Sequence, residues 1–209
     1  MELTITPRTL IFSADARSMY TGIPTELALR IIGEYLQTHQ SQFSDLLIEA
    51  LTKALTIIMR NNVFAFGDTF WHQQKGTAMG TPLEPPYATL FFSIKENLLI
   101  PNYKRELIYY KKYLDDIVVV WEPYLPTEQD LQKFQDFEEE LNDFHSLIWD
   151  ITPRCKTVDF LDITVTLCTD SVHTALFHKA LNLHLYLPNH SAHPPGCIAG
   201  PILGNSYRI

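Results

Sequence analysis

The run Tyr113-Leu114-Asp115-Asp116 lies between two apolar stretches, residues 107–110 and 117–121. Two adjacent carboxylates therefore sit at the tip of what reads as a buried β-hairpin, and no other feature constrains the fold as much. Negative charges drawn out of water side by side repel each other and take up protons unless a cation neutralises them; a divalent metal is the usual agent. The pattern points to a metal-dependent enzyme built on a strand pair. Acidic residues also favour ordinary surface turns, so the weight of the four-residue run depends on its company.

A short apolar stretch, residues 10–14, ends in Asp15, and Pro24 prepares a helix start at Thr25 and Glu26. Apolar residues then recur twice at helical spacing, first Leu27, Ala28, Ile31, Ile32, Tyr35 and Leu36, then Phe43, Leu46, Leu47, Ala50, Leu51, Ala54, Leu55 and Ile58. This predicts two packed helices. Residues 63–66 and 69–72 flank Gly67 and Asp68 as a hairpin. A loop with Gly76, Gly80, Pro82, Pro85 and Pro86 leads to a helix over 87–100, which Pro101 stops. Thr127 with Asp130 predicts a capped helix with the stripe Leu131, Phe134, Leu141 and Phe144. Residues 147–151, 158–167 and 172–177 alternate as strands do, and 178–209 read as loop. The order predicts an α+β fold whose sheet is built by long-range pairing and not by a βαβ series.

With 209 residues and 46% hydrophobic content the chain can bury one substantial core. A net charge of −8 has the wrong sign for gripping a phosphate backbone by bulk electrostatics, so any nucleic-acid contact must be local. Lys104, Arg105, Lys111 and Lys112 form the one local basic concentration, beside the carboxylate hairpin. Cys155, Cys168 and Cys197 are too few and too scattered for a disulfide framework, which fits a reducing compartment. His184, His190, His193 and Cys197 match no closed zinc module. No secretory start or membrane-length apolar run is present, so a soluble intracellular protein without a membrane partner is expected.

Asp15 ends one strand while Asp115 and Asp116 sit at the turn of another pair. If these strands are neighbours, three carboxylates converge, and such hard oxygen ligands suit Mg²⁺ or Mn²⁺. Two ions about 3.5 to 4 Å apart are the standard device for in-line nucleotidyl transfer.

Three runs carry a resemblance: FSADARSMYTGIP around Asp15, QKGTAMGTPLEPPYATLFFSIKE from Gln74, and YLDD. In this order and at these distances they resemble the palm motifs of reverse transcriptases, most closely those of Penelope-like retroelements, which are relatives of telomerase. FLDITV from Phe160 and HKALNLHLYLPNHSAHP from His178 resemble the segments that follow the palm there. The resemblance implies a right-hand polymerase palm, an antiparallel sheet packed on helices, over residues 1–168, with 169–209 a post-palm segment leading towards a thumb. It implies that fingers and thumb are largely absent, as is an endonuclease segment.

Carried over by position, the resemblance makes Asp15, Asp115 and Asp116 catalytic metal ligands for two Mg²⁺ or Mn²⁺ ions, with the backbone carbonyl of Ala16 adding a ligand. Tyr20 falls where a ring lies under the sugar of the incoming nucleotide and excludes a 2′-hydroxyl. Met79 and Gly80 fall beside the forming base pair, where a glycine lets the backbone pass close. Arg17, alternating with Asp15 on an extended strand, is placed to reach the triphosphate or to face solvent. Gln74 and Lys75 precede the glycine loop as in the Penelope-like pattern, and Phe160, Leu161 and Asp162 belong to the hairpin that holds the primer terminus. Glu84 departs from the small polar residue expected before Pro85 and adds negative charge near an anionic substrate. The implied activity is RNA-directed DNA polymerisation, with an RNA template, a DNA primer and deoxynucleoside triphosphates as partners and a nuclear location. The alternatives are an inactive retroelement remnant, a nucleic-acid-binding module, or an RNA-templated RNA polymerase, against which Tyr20 speaks.

Overall fold

The computed structural model describes residues 4–39, 43–77, 81–145, 147–169 and 171–177. In chain order they form β1 (Leu10–Arg17), α1 (Met19–Gly22), α2 (Thr25–Thr38), α3 (Asp45–Arg60), β2 (Val63–Phe66), β3 (Thr69–His72) and α4 (Glu84–Leu99). A 3-10 turn, Ile100–Tyr103, leads to β4 (Leu107–Tyr113), β5 (Asp116–Trp121), α5 (Thr127–Asn142), β6 (Ile148–Ile151), β7 (Thr157–Phe160), β8 (Ile163–Leu167) and β9 (Val172–Leu176). The protein is α+β, and every paired strand is antiparallel.

The frame is a four-stranded sheet in the order β4-β5-β1-β6. Its two-residue period sorts β1 cleanly. Phe12, Ala14 and Ala16 point to one face, where they join Ile117, Val119, Trp121, Phe91 and Phe137 in the main core under the helices. Phe137 is the hub, its ring 5.1 Å from Tyr103, 5.7 Å from Trp121 and 6.0 Å from Phe12. Ile11 points to the other face and meets Val118, Val120, Val158 and Leu167 in a second, smaller core beneath the β7-β8-β9 sheet. The middle of β5 is thus covered on both faces, which is why residues 117–121 are continuously apolar.

Several sequence expectations need correction. β1 runs past Asp15 to Arg17, because β6 pairs with its last four residues. Of the stripe assigned to α3, Leu46, Leu47, Leu51 and Ile58 are exposed, and the helix buries Ile48 and Met59 instead. Helix α4 starts at Glu84, three residues early, since Pro85 and Pro86 fit a first turn whose N–H groups need no partner. Asp130 does not cap α5: Pro126 is the cap, and Asp130 is buried, accepting from Trp121 Nε1 at 3.0 Å and Arg154 Nη1 at 2.7 Å. Leu131 is exposed while Phe137 takes the core position. Residues 158–167 break into β7 and β8 at Leu161, whose φ is 54°. The loop reading of 178–209, with its His and Cys residues, lies outside the described residues. No described helix is long and apolar enough to cross a membrane.

Candidate active site

The acidic tip and the first aspartate meet through the backbone. Asp15 is the register partner of Asp116 across the β1–β5 pair, and the Ala16 N–H donates to the Asp115 carbonyl at 2.9 Å. Residues directly opposite in an antiparallel pair project from the same face. Asp15 and Asp116 therefore stand side by side on the face away from the helices, with Asp115 in the two-residue turn beside them. That turn holds Leu114 at φ 54°, a left-handed conformation that costs a branched residue about 1–2 kcal/mol. The tip is half-buried and Asp15 is exposed, so the carboxylates are not drawn out of water as the sequence pattern implied. They lie at the end of the β4–β5 hairpin, on the edge of the sheet that β4 forms.

Asp150 is the residue that sequence reasoning missed. It is the register partner of Asp15 on the other side, through β6, so Asp116, Asp15 and Asp150 form a row across three adjacent strands. The only available signal was that Asp150 shares the phase of exposed Ile148 in a strand whose other phase, Trp149, is buried. Arg17 pairs its guanidinium with Asp150, which raises the Arg17 pKa through that hydrogen bond and charge. It faces solvent, as one of its two sequence readings had it, and in this arrangement its partner is an acid of the row. Among the described residues, no three His, Cys, Asp or Glu side chains are gathered closely enough to hold a metal ion in the conformation shown.

Tyr20 follows β1 in α1 and is half-buried against the main core. Its pKa is raised, first by burial, then by the negative charges of Asp115 and Glu84. The phenol, the acidic tip and the buried Glu84 at the start of α4 therefore share one electrostatic neighbourhood.

The segment Gln74–Thr77 is docked on the same turn. Gly76 N–H donates to the Ile23 carbonyl and Thr77 N–H to the Tyr20 carbonyl, each at 2.9 Å. Gly76 has φ +78°, and a Cβ there would stand 2.7 Å from Tyr20 O and Thr21 Cα, so only glycine fits. Gln74 bonds His72 Nδ1 at 2.7 Å, and Lys75 is exposed. Met79 and Gly80 lie outside the described residues.

Leu161 and Asp162 form the turn between β7 and β8, where the Asp162 carbonyl accepts from Phe177 N–H at 2.9 Å. Phe160 lines a groove of about 410 Å³ with Ile11, Lys111, Val118 and Val120, on the aspartate face of the sheet but deeper along β5. Of the basic cluster, Lys112 is held by Glu96 at 2.7 Å in a largely buried pair, and Arg105 stacks on Tyr124 at 4.7 Å. Neither is disengaged for a template.

The α+β fold resembles those of solved telomerase structures. The apo telomerase of Candida tropicalis superposes with a TM-score of 0.58 at 10% identity, covering 81% of this chain and 32% of that one. The telomerase of Candida albicans, in complex with a TWJ fragment of telomeric RNA, gives 0.59 at 10% identity, covering 80% and 31%. At that identity the likeness is one of fold, and the chain spans about a third of the length of these telomerases. No protein-family model and no curated protein matches the sequence.

Proposed function

We propose that the chain carries the palm of an RNA-directed DNA polymerase, of the Penelope-like type that its motifs resemble. On this reading it adds deoxynucleotides to a primer 3′-hydroxyl along an RNA template. The observation that carries the proposal is the register Asp15↔Asp116 with the Ala16-to-Asp115 hydrogen bond, which fixes two strand ends from distant parts of the sequence as one acidic edge. Carboxylates with a nearby backbone carbonyl suit Mg²⁺ or Mn²⁺ by chemistry. Asp15, Asp115, Asp116 and the Ala16 carbonyl would hold the pair. Such ions, when bound, lower the pKa of an attacking hydroxyl and stabilise the departing phosphate.

In the reaction the primer O3′ loses its proton and bonds to the α-phosphorus, while the bond to pyrophosphate breaks. Tyr20 supplies a ring under the incoming sugar, and the Gly76 loop, bonded to the Tyr20 carbonyl, holds that ring's backbone in place. Arg17 reaches a triphosphate only by leaving Asp150. Phe160 to Asp162 are assigned to the primer, and Gln74 and Lys75 to the primer–template.

The test is Mg²⁺-dependent primer extension by the chain, alone and in a form carrying the sequence that flanks it in its gene. Asp115→Asn should lower incorporation more than about 100-fold, beyond the loss seen when groups that merely orient a metal ligand are removed. Asp116→Asn should cost less. Tyr20→Ala should admit ribonucleotides. An unchanged rate in Asp115→Asn sinks the proposal. Glu84, buried beside Tyr20 where an anionic triphosphate would come, favours a second reading: a fold retained as a binding module without catalysis. Incorporation that appears only in Glu84→Ser would favour that reading.

A further inference from the structure

The β2–β3 hairpin is apolar and stands in solvent along its whole length. All eight of its strand residues are exposed, Phe66 and Phe70 at 77% and 80%. The register puts Phe64 opposite Trp71 on one face and Ala65 opposite Phe70 on the other. The Trp71 indole N–H donates to Thr69 Oγ1 at 2.9 Å, which fixes the ring's rotation and leaves its face open. A two-stranded ribbon alone is marginal in water, yet this one is tied down at its foot. Gln73 N–H donates to the Asn62 carbonyl at 2.9 Å, and three residues on the chain is docked at Gly76 and Thr77 on the turn carrying Tyr20.

The foot has its own chemistry. A cavity of about 730 Å³ is lined by Arg60, His72, Gln73, Gln74 and Lys75, with Glu26 the only acid among its lining residues. Both Glu26 oxygens are taken by Arg60, at 2.8 and 2.6 Å. Around it His72 Nε2 donates to the Arg60 carbonyl, Gln74 Nε2 to His72 Nδ1 and Gln73 Nε2 to the Lys75 carbonyl, so in a chain of net charge −8 the exposed Lys75 ammonium is the cation that this foot offers beneath a set of open aromatic rings. Rings that accept any base face, next to a cation that attracts phosphate, are the two parts of a single-strand binding site. A protein partner would be expected to cover one apolar face. Here rings are offered on both faces, and the polar foot is continuous with them.

We propose that this hairpin is a stacking platform for unpaired bases of a single-stranded nucleic acid, whose phosphates run past Lys75. It rests on the polymerase reading only in taking that strand to be the template. Its position follows from the Gly76–Thr77 docking, which sets the platform one short segment from Tyr20.

The chain itself reports on the contact. Of its three tryptophans, Trp121 and Trp149 are 0% and 4% exposed and Trp71 is 55% exposed. Titration with oligouridine, without metal or nucleotide, should quench tryptophan emission, and duplex RNA of the same length should not. Trp71→Ala should weaken oligouridine binding roughly tenfold, and Lys75→Gln should lower the salt slope by about 0.7. Both side chains are exposed, so circular dichroism should show an unchanged fold. Absence of quenching, or equal affinity in Trp71→Ala, overturns the platform. A dimer seen by light scattering and dissolved by Phe70→Ser, with no oligouridine binding, overturns it too and makes the hairpin an interface between copies. Asp115→Asn should bind oligouridine as the parent chain does. Binding lost with incorporation intact refutes the platform alone, and binding intact without incorporation refutes the polymerase reading alone.

Discussion

The chain contains two β-hairpins of nearly the same local design and opposite fate. β4–β5 turns through Leu114 and Asp115, and β2–β3 turns through Gly67 and Asp68, each with its first turn residue in the left-handed region, at φ 54° and 60°. Both carry strongly apolar strands. Yet β5 is buried from Ile117 to Trp121, while no strand residue of β2 or β3 is buried. Composition does not separate them. β5 gains β1 along its second edge, helices on one face and β7 on the other, whereas among the described residues β2 and β3 pair only with each other. The buried hairpin delivers a polar tip to a fixed place; the exposed one offers its apolar flanks. Burial thus follows the third strand, and an apolar ribbon left without one is a candidate for binding something else.

The largest expected effect tests that contrast directly. Ile117→Ala, at the fully buried second position of β5, should cost about 2–5 kcal/mol. Phe70→Ala removes a larger side chain from β3 and should fall within about 0.5 kcal/mol of the parent. Urea denaturation of both variants measures it. If Phe70→Ala costs as much as Ile117→Ala, the hairpin is packed in solution and the contrast collapses.

A middle-sized effect is expected where the two regions join. Gly76→Ala places a Cβ against the Tyr20 and Thr21 backbone at a φ that L residues rarely adopt, at a cost of about 1–3 kcal/mol. If the polymerase proposal holds, its signature should be a raised KM for nucleotide through the displaced Tyr20 turn, with the β4–β5 hairpin unaffected in hydrogen exchange. Full nucleotide affinity in a folded Gly76→Ala protein would uncouple the exposed hairpin's foot from the acidic edge.

Much of this was readable in advance, for reasons tied to particular residues. Both hairpins announce themselves by turn residues at fixed offsets, whereas setting Asp15 opposite Asp116 depends on β1 and β5 being neighbours, which the local sequence leaves conditional. What escaped was long-range. Asp150 joins the row only because β6 pairs with the last four residues of β1, and nothing local in Ile148–Ile151 specifies that register. Asp130 looked like a cap because its spacing from Thr127 is right, but Trp121 and Arg154, brought in by the sheet, compete for its carboxylate. Helix α3 is apolar on more than one side, so periodicity by itself did not say which side faces α2.

The smallest effect probes how near the acidic tip lies to the Tyr20 ring. Burial raises the Tyr20 pKa first, and the charges of Asp115 and then Glu84 add to it. The fold therefore favours the neutral phenol. A raised folded-state pKa means that this contribution to stability is fully present below the unfolded value, about 10, and is lost as pH rises through the folded value. Asp115→Asn deletes one of the charges that disfavour the phenolate, so Tyr20 should titrate at lower pH in that variant, and Glu84→Gln should shift it the same way by less. Ring-labelled tyrosine NMR, with Tyr20→Phe to assign the resonance, resolves the shift among ten tyrosines. If Glu84→Gln moves Tyr20 and Asp115→Asn does not, the ring belongs to the α4 side of the site and not to the hairpin tip. That outcome would argue against the role under an incoming sugar proposed for Tyr20 beside Asp115.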